Sequence, residues 1–235
     1  MPARIPHACL LLCLCLDLLA SSAPASGPPH KRLLCLGDSL TAGYGLDEEQ
    51  AWPRLLQARL DREAPGWTVV NAGDSGDTST DALERMDWLM KSPPSAAFVC
   101  LGANDGLRGL PVDLTARNVS KIVARLRKAG VAVFLAGMQL PTNMGPGYRD
   151  AFRALYPDLA AREKLPLMPF LLTGVAGVAD LNQADGMHPN AQGERIVAGN
   201  VGDFLIPRLK RIAARGSAGG APRVLSRRSD LGPAP

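Results

Sequence analysis

A chain of 235 residues that is 46% apolar and 20% charged has enough material for one domain with a sizeable core, and too many large apolar residues for a disordered chain. Its formal charge of +4 is a local effect: residues 208 to 235 hold seven Lys/Arg and one acid, whereas residues 26 to 207 hold 18 basic and 20 acidic residues. The body is therefore nearly neutral, which argues against a nucleic-acid groove.

Residues 1–25 read as a secretory signal. Arg4 gives a positive start, Ala8 to Ala20 is apolar except for Asp17, and Ala23-Pro24-Ala25 supplies small residues for cleavage. The run is too short to span a bilayer as a permanent helix. Cleavage near Ala25 would deliver the protein to the periplasm or outside the cell; the alternative is a short anchor left in place. Of five cysteines, Cys9, Cys13 and Cys15 fall in this segment. Cys35 and Cys100 lie in apolar, strand-like runs and are expected as buried thiols, with a disulfide as the other reading. No Cys/His cluster has zinc spacing.

From there the pattern alternates. Leu33–Leu36 is a continuous apolar run, as in a strand covered on both faces. Trp52, Leu55, Leu56 and Leu60 follow at helical spacing, with Pro53 tolerable in a first turn. Thr68–Asn71 reads as a second strand, 80–90 as a helix and Ala96–Leu101 as a third strand. Val119, Ile122, Val123 and Leu126 mark a helix that stops at Gly130, before a fourth strand over Val131–Ala136. A helix over 148–162 and a short fifth strand within Leu165–Phe170 come next. Ile196, Val197, Val201, Phe204 and Leu205 form the stripe of a last helix, which Pro207 is expected to end or kink. From Gly216 the chain is rich in Gly, Ala, Pro, Ser and Arg, so 216–235 reads as a disordered basic tail after a domain spanning 26–215. Alternating strands and helices imply an α/β fold with a parallel sheet and helices on both faces. Ligands bind such sheets beyond the carboxyl ends of the strands.

The polar residues with chemical potential fall at those ends. Ser39 follows the first strand in Gly37-Asp38-Ser39-Leu40, Gly76 the second, Asn104 the third, and Asp185 and His188 come late in the chain. A serine hydroxyl needs a base to act as a nucleophile. Beyond Leu33 the chain has one histidine, His188, so the base has one candidate. Asp185, three residues earlier, could fix its tautomer, completing the logic of nucleophile, base and orienter. The Ser39 N–H, the Gly76 N–H and the Asn104 amide are candidate donors to an oxyanion. Each residue also has a plain structural reading. Ser39 suits a helix N-cap, Asn104-Asp105-Gly106 a turn, and His188 a surface loop with Asn190 capping the next helix. Ser75 is a rival serine, better suited to a turn. No Gly-x-Ser-x-Gly elbow is present.

Taken together, Gly37-Asp38-Ser39-Leu40, Asn71 to Thr78 with Gly76, Gly102-Ala103-Asn104-Asp105 and Asp185-Gly186-Met187-His188-Pro189 occur in the order and spacing of four known blocks. The chain resembles the GDSL, or SGNH, hydrolase family over residues 33–209. It is most similar to the bacterial periplasmic thioesterase I/lysophospholipase/arylesterase branch, through Ala51-Trp52-Pro53, Ser75 to Ser79, Gly102 to Leu110 and Tyr156-Pro157. The resemblance implies a three-layer flavodoxin-like fold with a central five-stranded parallel sheet. It also implies Ser39, Asp185 and His188 as catalytic residues, and an oxyanion hole of Ser39, Gly76 and Asn104. Ala103 departs from the Gly that many relatives carry, and the tail after Arg215 has no counterpart.

The expected activity is hydrolysis of carboxylic esters and thioesters, such as aryl esters, acyl-CoA and lysophospholipid, through an acyl-enzyme. No cofactor or metal is expected. The acyl chain is expected along 105–110 and 140–147, with Leu107, Leu110, Leu140 and Met144 as apolar contacts, although the same residues could simply cover the sheet edge. The alternatives are a carbohydrate O-acetylesterase, which few aromatics disfavour, and a non-catalytic lipid or cell-wall carrier. The expected partner is a small acyl substrate, with no nucleic acid. A monomer is expected; the basic tail reads as a passive solvated end, with weak membrane-surface contact as the other reading.

Overall fold

The computed structural model describes residues 30–218; the expected signal segment 1–25 lies outside these residues, as does the expected disordered tail 216–235 apart from 216–218, which are helical and not disordered. Five parallel strands form one sheet: β1 (Lys31–Gly37), β2 (Trp67–Gly73), β3 (Ala96–Cys100), β4 (Ala132–Ala136) and β5 (Leu167–Met168), in spatial order β2-β1-β3-β4-β5. All pairings are parallel, which requires a crossover between successive strands. Helices α2 (Trp52–Glu63) and α8 (Ala191–Ala218) pack together on one face. Helices α3 (Ser79–Glu84), α6 (Val112–Lys128) and α7 (Pro146–Glu163) pack together on the other. The remaining short helices are α1 (Ser39–Ala42), α4 (Met86–Leu89) and α5 (Ala103–Leu107). The α/β class and the five-stranded parallel sheet agree with the reading of the sequence.

The central strands are apolar wherever both of their faces are covered; β1 opens on the half-buried Lys31 and Arg32. Leu33, Leu34, Cys35 and Leu36 of β1 and every residue of β3 are buried. Trp52, Phe98, Phe134 and Phe204 form a chain of tilted and edge-on rings between the sheet and the α2/α8 layer. Cys35 and Cys100 are buried free thiols, as expected. Burial pushes both of them well above the ordinary thiol range, so they are packing groups rather than nucleophiles.

Two helices differ from expectation. The segment 80–90 is not continuous: α3 and α4 are separated at Arg85, whose backbone sits at φ −81°, ψ 0°. Pro207 does not end the last helix, which continues through it to Ala218. A helix-interior proline costs about 3 kcal/mol. Here Leu205, Ile206 and Leu209, all buried, hold the flanking turns on the core and outweigh that cost.

One buried carboxyl joins the two helices of the α2/α8 layer. Ala51 precedes α2 and has no side chain to cap it. Glu194, in the first turn of α8, accepts the Trp52 N–H at 2.6 Å and supplies the cap from across the interface. Burial pushes this carboxyl from 4.5 to about 7. A folded-state pKa raised above the unfolded one means that the folded protein holds the proton more tightly. The associated stability is full below about pH 4.5, declines as pH rises, and is lost above about 7. Glu194→Gln keeps an acceptor for Trp52 and removes the charge. It should match the parent near pH 5 and exceed it at pH 8, by up to roughly 3 kcal/mol, measured by urea unfolding at both pH values. An equal difference at the two pH values would refute this account.

Candidate active site

The topology places a crevice where the chain reverses its winding direction, between β1 and β3. β1 ends at Gly37, and Asp38 then turns the chain into α1. The Asp38 carboxylate accepts the Leu40 N–H at 3.0 Å, so the N-cap is Asp38 and not Ser39. That frees the Ser39 hydroxyl and leaves the Ser39 N–H among the unbonded donors of a helix start. Asp38 is wholly buried; burial raises its carboxyl to about 6, and its second oxygen has no hydrogen-bond partner in the protein.

The Ser39 Oγ lies 2.9 Å from Nε2 of His188, although 149 residues separate them. The Nδ1 of the same ring lies 2.6 Å from Asp185 Oδ2. The other Asp185 oxygen accepts the Met187 and His188 N–H groups at 2.9 and 3.0 Å. These backbone bonds, followed by the imidazole contact, hold the carboxyl down at about 2. An ionised carboxylate only accepts, so Nδ1 must carry the proton and Nε2 presents its lone pair to the serine.

The histidine loop is itself tied down. Asn182 and Pro189 form an antiparallel bridge, and the Gln183 N–H bonds the His188 carbonyl at 2.7 Å. The Gln183 amide donates to the carbonyls of Tyr44 and Pro189, which joins this loop to the end of α1. Asn190 does cap α8, accepting from the Gln192 and Gly193 N–H groups. The capping role and the histidine's contact with serine coexist in one loop.

The second and third loops supply donors. Gly76 sits at φ +93° in a turn closed by the Asp77 N–H to the Asp74 carbonyl, a conformation that side chains disfavour. Its carbonyl accepts from the Arg108 guanidinium at 2.8 Å, which fixes the orientation of that peptide. The Asn104 amide donates one hydrogen to the Asp77 carbonyl at 2.9 Å and retains a second. Beneath it, the fully buried Asp105 accepts from the Ser79 N–H at 2.7 Å, from the Ser79 hydroxyl at 2.5 Å and from Thr115 at 3.1 Å, so its charge is satisfied. Gly102 gives these residues their approach. It lies at φ +112°, and any Cβ there would meet the Tyr156 hydroxyl at 2.5 Å.

Ser39, Asp185 and His188 are thus joined directly, and Asn104 is hydrogen-bonded to the Gly76–Asp77 turn. Ser75 is an exposed turn residue. The apolar candidates divide. Leu107 is 39% exposed and Leu110 half-buried, whereas Leu140 is buried under α5 against Gly106 and Met144 is packed against the core. Reading the sequence did not single out Tyr44. Its exposed ring lies 4.7 Å from the His188 ring at a tilt of 40°. Its proximity to Ser39 in the chain was visible, but not its contact with a loop 139 residues away.

Residues 35–196 match the GDSL-like lipase/acylhydrolase family. The chain belongs to that family. It is 42% identical over 198 residues to the esterase TesA of Pseudomonas aeruginosa, covering 84% of this chain and 96% of that one. It is 40% identical over 167 residues to thioesterase 1/protease 1/lysophospholipase L1 of Escherichia coli K12, covering 71% of this chain and 79% of that one. Among solved structures, it resembles a psychrotrophic esterase, EstA, from a Pseudoalteromonas species, inhibited by monoethylphosphonate. The TM-score is 0.73 at 35% identity, over 76% of this chain and 98% of that one.

Proposed function

We propose that this GDSL-family member is a serine hydrolase of carboxylic esters and thioesters, acting through an acyl-enzyme. The observation that carries this reading is the continuous relay from Ser39 Oγ through the His188 ring to the Asp185 carboxylate. As Ser39 attacks the acyl carbonyl, its proton passes to Nε2 of His188, and Asp185 stabilises the imidazolium. The Ser39 and Gly76 N–H groups and the free Asn104 hydrogen take the oxyanion; losing one such donor costs about 3–4 kcal/mol of barrier. The imidazolium then protonates the departing alcohol or thiol, and water deacylates the serine with the same base.

The substrates are aryl and acyl esters and thioesters, including acyl-CoA and lysophospholipid. The half-exposed Tyr44 ring beside His188 supports a flat or bulky leaving group on that side. Leu107 and Leu110, which follow Asn104 on α5 and just beyond it and keep exposed surface, support an acyl contact beside Asn104. The decisive experiment is a panel of p-nitrophenyl esters, acyl-CoA, lysophospholipid and acetylated xylan, run beside labelling with a fluorophosphonate. Absence of labelling would reject a serine hydrolase, and turnover of the acetylated sugar alone would reject this substrate class. On a p-nitrophenyl series from C2 to C12, Leu107→Ala should reduce kcat/KM for the longest chains by about tenfold and spare the shortest, as loss of a buried aliphatic contact requires. An unchanged preference would make Leu107 mere cover.

We infer that the protein is exported to the periplasm or the medium with residues 1–25 removed. The composition of that segment supports this. Mass spectrometry of protein recovered from the periplasm or medium tests it, and an N-terminus at Met1 would overturn it.

A further inference from the structure

The break between α3 and α4 puts Arg85 at a point from which its side chain reaches back to the carboxyl edge of the sheet. Its Nε donates to Asp77 Oδ2 at 2.7 Å. One terminal nitrogen donates to the carbonyls of Ala72 at 2.8 Å and Gly37 at 3.1 Å. Those carbonyls lie at the ends of β2 and β1, and the Gly37 carbonyl also accepts the Asp74 N–H. The Arg85 and Asp77 side chains are only 20% and 11% exposed, so this pair is far less screened than the surface ion pairs of the molecule. Burial pushes the Asp77 carboxyl up and the guanidinium opposes that shift.

Asp77 is the hinge of the arrangement. Its carboxylate is held by Arg85, while its carbonyl holds the Asn104 amide at 2.9 Å. The neighbouring Gly76 supplies the backbone donor, and Gly37 lies two residues before Ser39. One planar cation therefore fastens the loop of the nucleophile to the turn against which Asn104 is oriented. A lysine offers a point charge without the fixed fork that here aims Nε at Asp77 and a terminal nitrogen at the two carbonyls.

We propose that Arg85 is a positioning residue for the oxyanion hole, acting through Asp77 on Asn104 and through Gly37 on the Ser39 turn. The proposal rests on the assignment of Asn104 as an oxyanion donor. Oxyanion contacts strengthen in the transition state, so their misplacement lowers kcat and leaves KM nearly unchanged. A displacement of about 1 Å in such a site can cost on the order of 100-fold.

The test is a double-mutant cycle of Arg85→Met and Asn104→Ala on a p-nitrophenyl ester, at a temperature well below the unfolding midpoint of every variant. Asn104→Ala alone should lower kcat by roughly 100- to 1000-fold. Arg85→Met alone should lower it by roughly 10- to 100-fold at a KM within about twofold of the parent. In the Asn104→Ala background the same change should cost at least about threefold less than it does in the parent, because one of the donors being positioned is gone and only the route through Gly37 to the Ser39 turn is left. Arg85→Lys, which keeps the charge, serves in the same cycle if Arg85→Met does not fold, and should show the same non-additivity with a smaller loss. Full additivity, a loss confined to KM, or a parent-like kcat would overturn the proposal. A parent-like kcat in Asn104→Ala would instead remove the oxyanion assignment, and the proposal with it.

Discussion

Replacement of Ser39 by alanine should lower ester turnover by about five to six orders of magnitude, the scale seen when the nucleophile of a serine hydrolase is removed. The fold should not notice. The Oγ is half-buried, and its one side-chain partner is Nε2 of His188, a group that water can satisfy. The N-cap of α1 survives because Asp38, not Ser39, accepts the Leu40 N–H. A change in unfolding free energy within about 0.5 kcal/mol is therefore expected. Steady-state rates and urea unfolding check the two parts. A variant that keeps more than a hundredth of the parent rate would assign the chemistry elsewhere.

Replacement of Asp185 by asparagine should cost about 10⁴-fold in kcat, and the reason is a proton's address rather than a lost charge alone. One oxygen of the carboxylate accepts two backbone N–H groups, from Met187 and His188. An asparagine must keep its carbonyl there, since turning its NH₂ toward two donors would leave three groups unpaired. Its NH₂ then faces Nδ1 of the imidazole. To accept that hydrogen, Nδ1 must give up its own proton, and the ring becomes the Nε2–H tautomer. Nε2 then meets Ser39 as a donor and cannot take its proton. Nitrogen-15 shifts of the His188 ring should report Nδ1–H in the parent and Nε2–H in the variant. A loss under tenfold, or an unchanged tautomer, would show that the carboxylate does not orient the base. The parent's acid limit follows from the same residue. With its carboxyl held at about 2, the stability that Asp185 contributes is present above the ordinary carboxylate range and disappears only as pH falls toward 2. This opposes Glu194, whose contribution weakens on the alkaline side.

Much of this was legible in the linear chain. The interior strands β1, β3 and β4 announce themselves by apolar runs, because the covered part of a parallel strand favours nothing else, whereas the edge strand β2 carries exposed Thr68 and Asn71 and is a weaker pattern. The reactive residues stood at strand ends, where an α/β sheet binds its ligands. Other features depend on contacts that no local pattern encodes. The strand order, with β1 and β3 adjacent, is what creates the crevice, and it cannot be counted off from spacing. Pro207 violated a local rule because the tertiary packing of Leu205, Ile206 and Leu209 outweighed it. Leu140 looked like one more apolar loop residue, yet it fills space under Gly106. Tyr44, Arg85 and Asp77 carry no signal of their own. Their roles exist only once the sheet brings three loops within a few ångströms.

The distance along the chain between Ser39 and His188 has a consequence for biosynthesis. A ribosome adding about 5–20 residues per second needs roughly 7–30 s to travel from the serine codon to the histidine codon. Throughout that interval the nascent polypeptide owns a nucleophile without its base, and so cannot attack the lipids and thioesters around it. Hydrolytic power switches on only when the closing segment docks, which makes the order of translation a safeguard written into the topology.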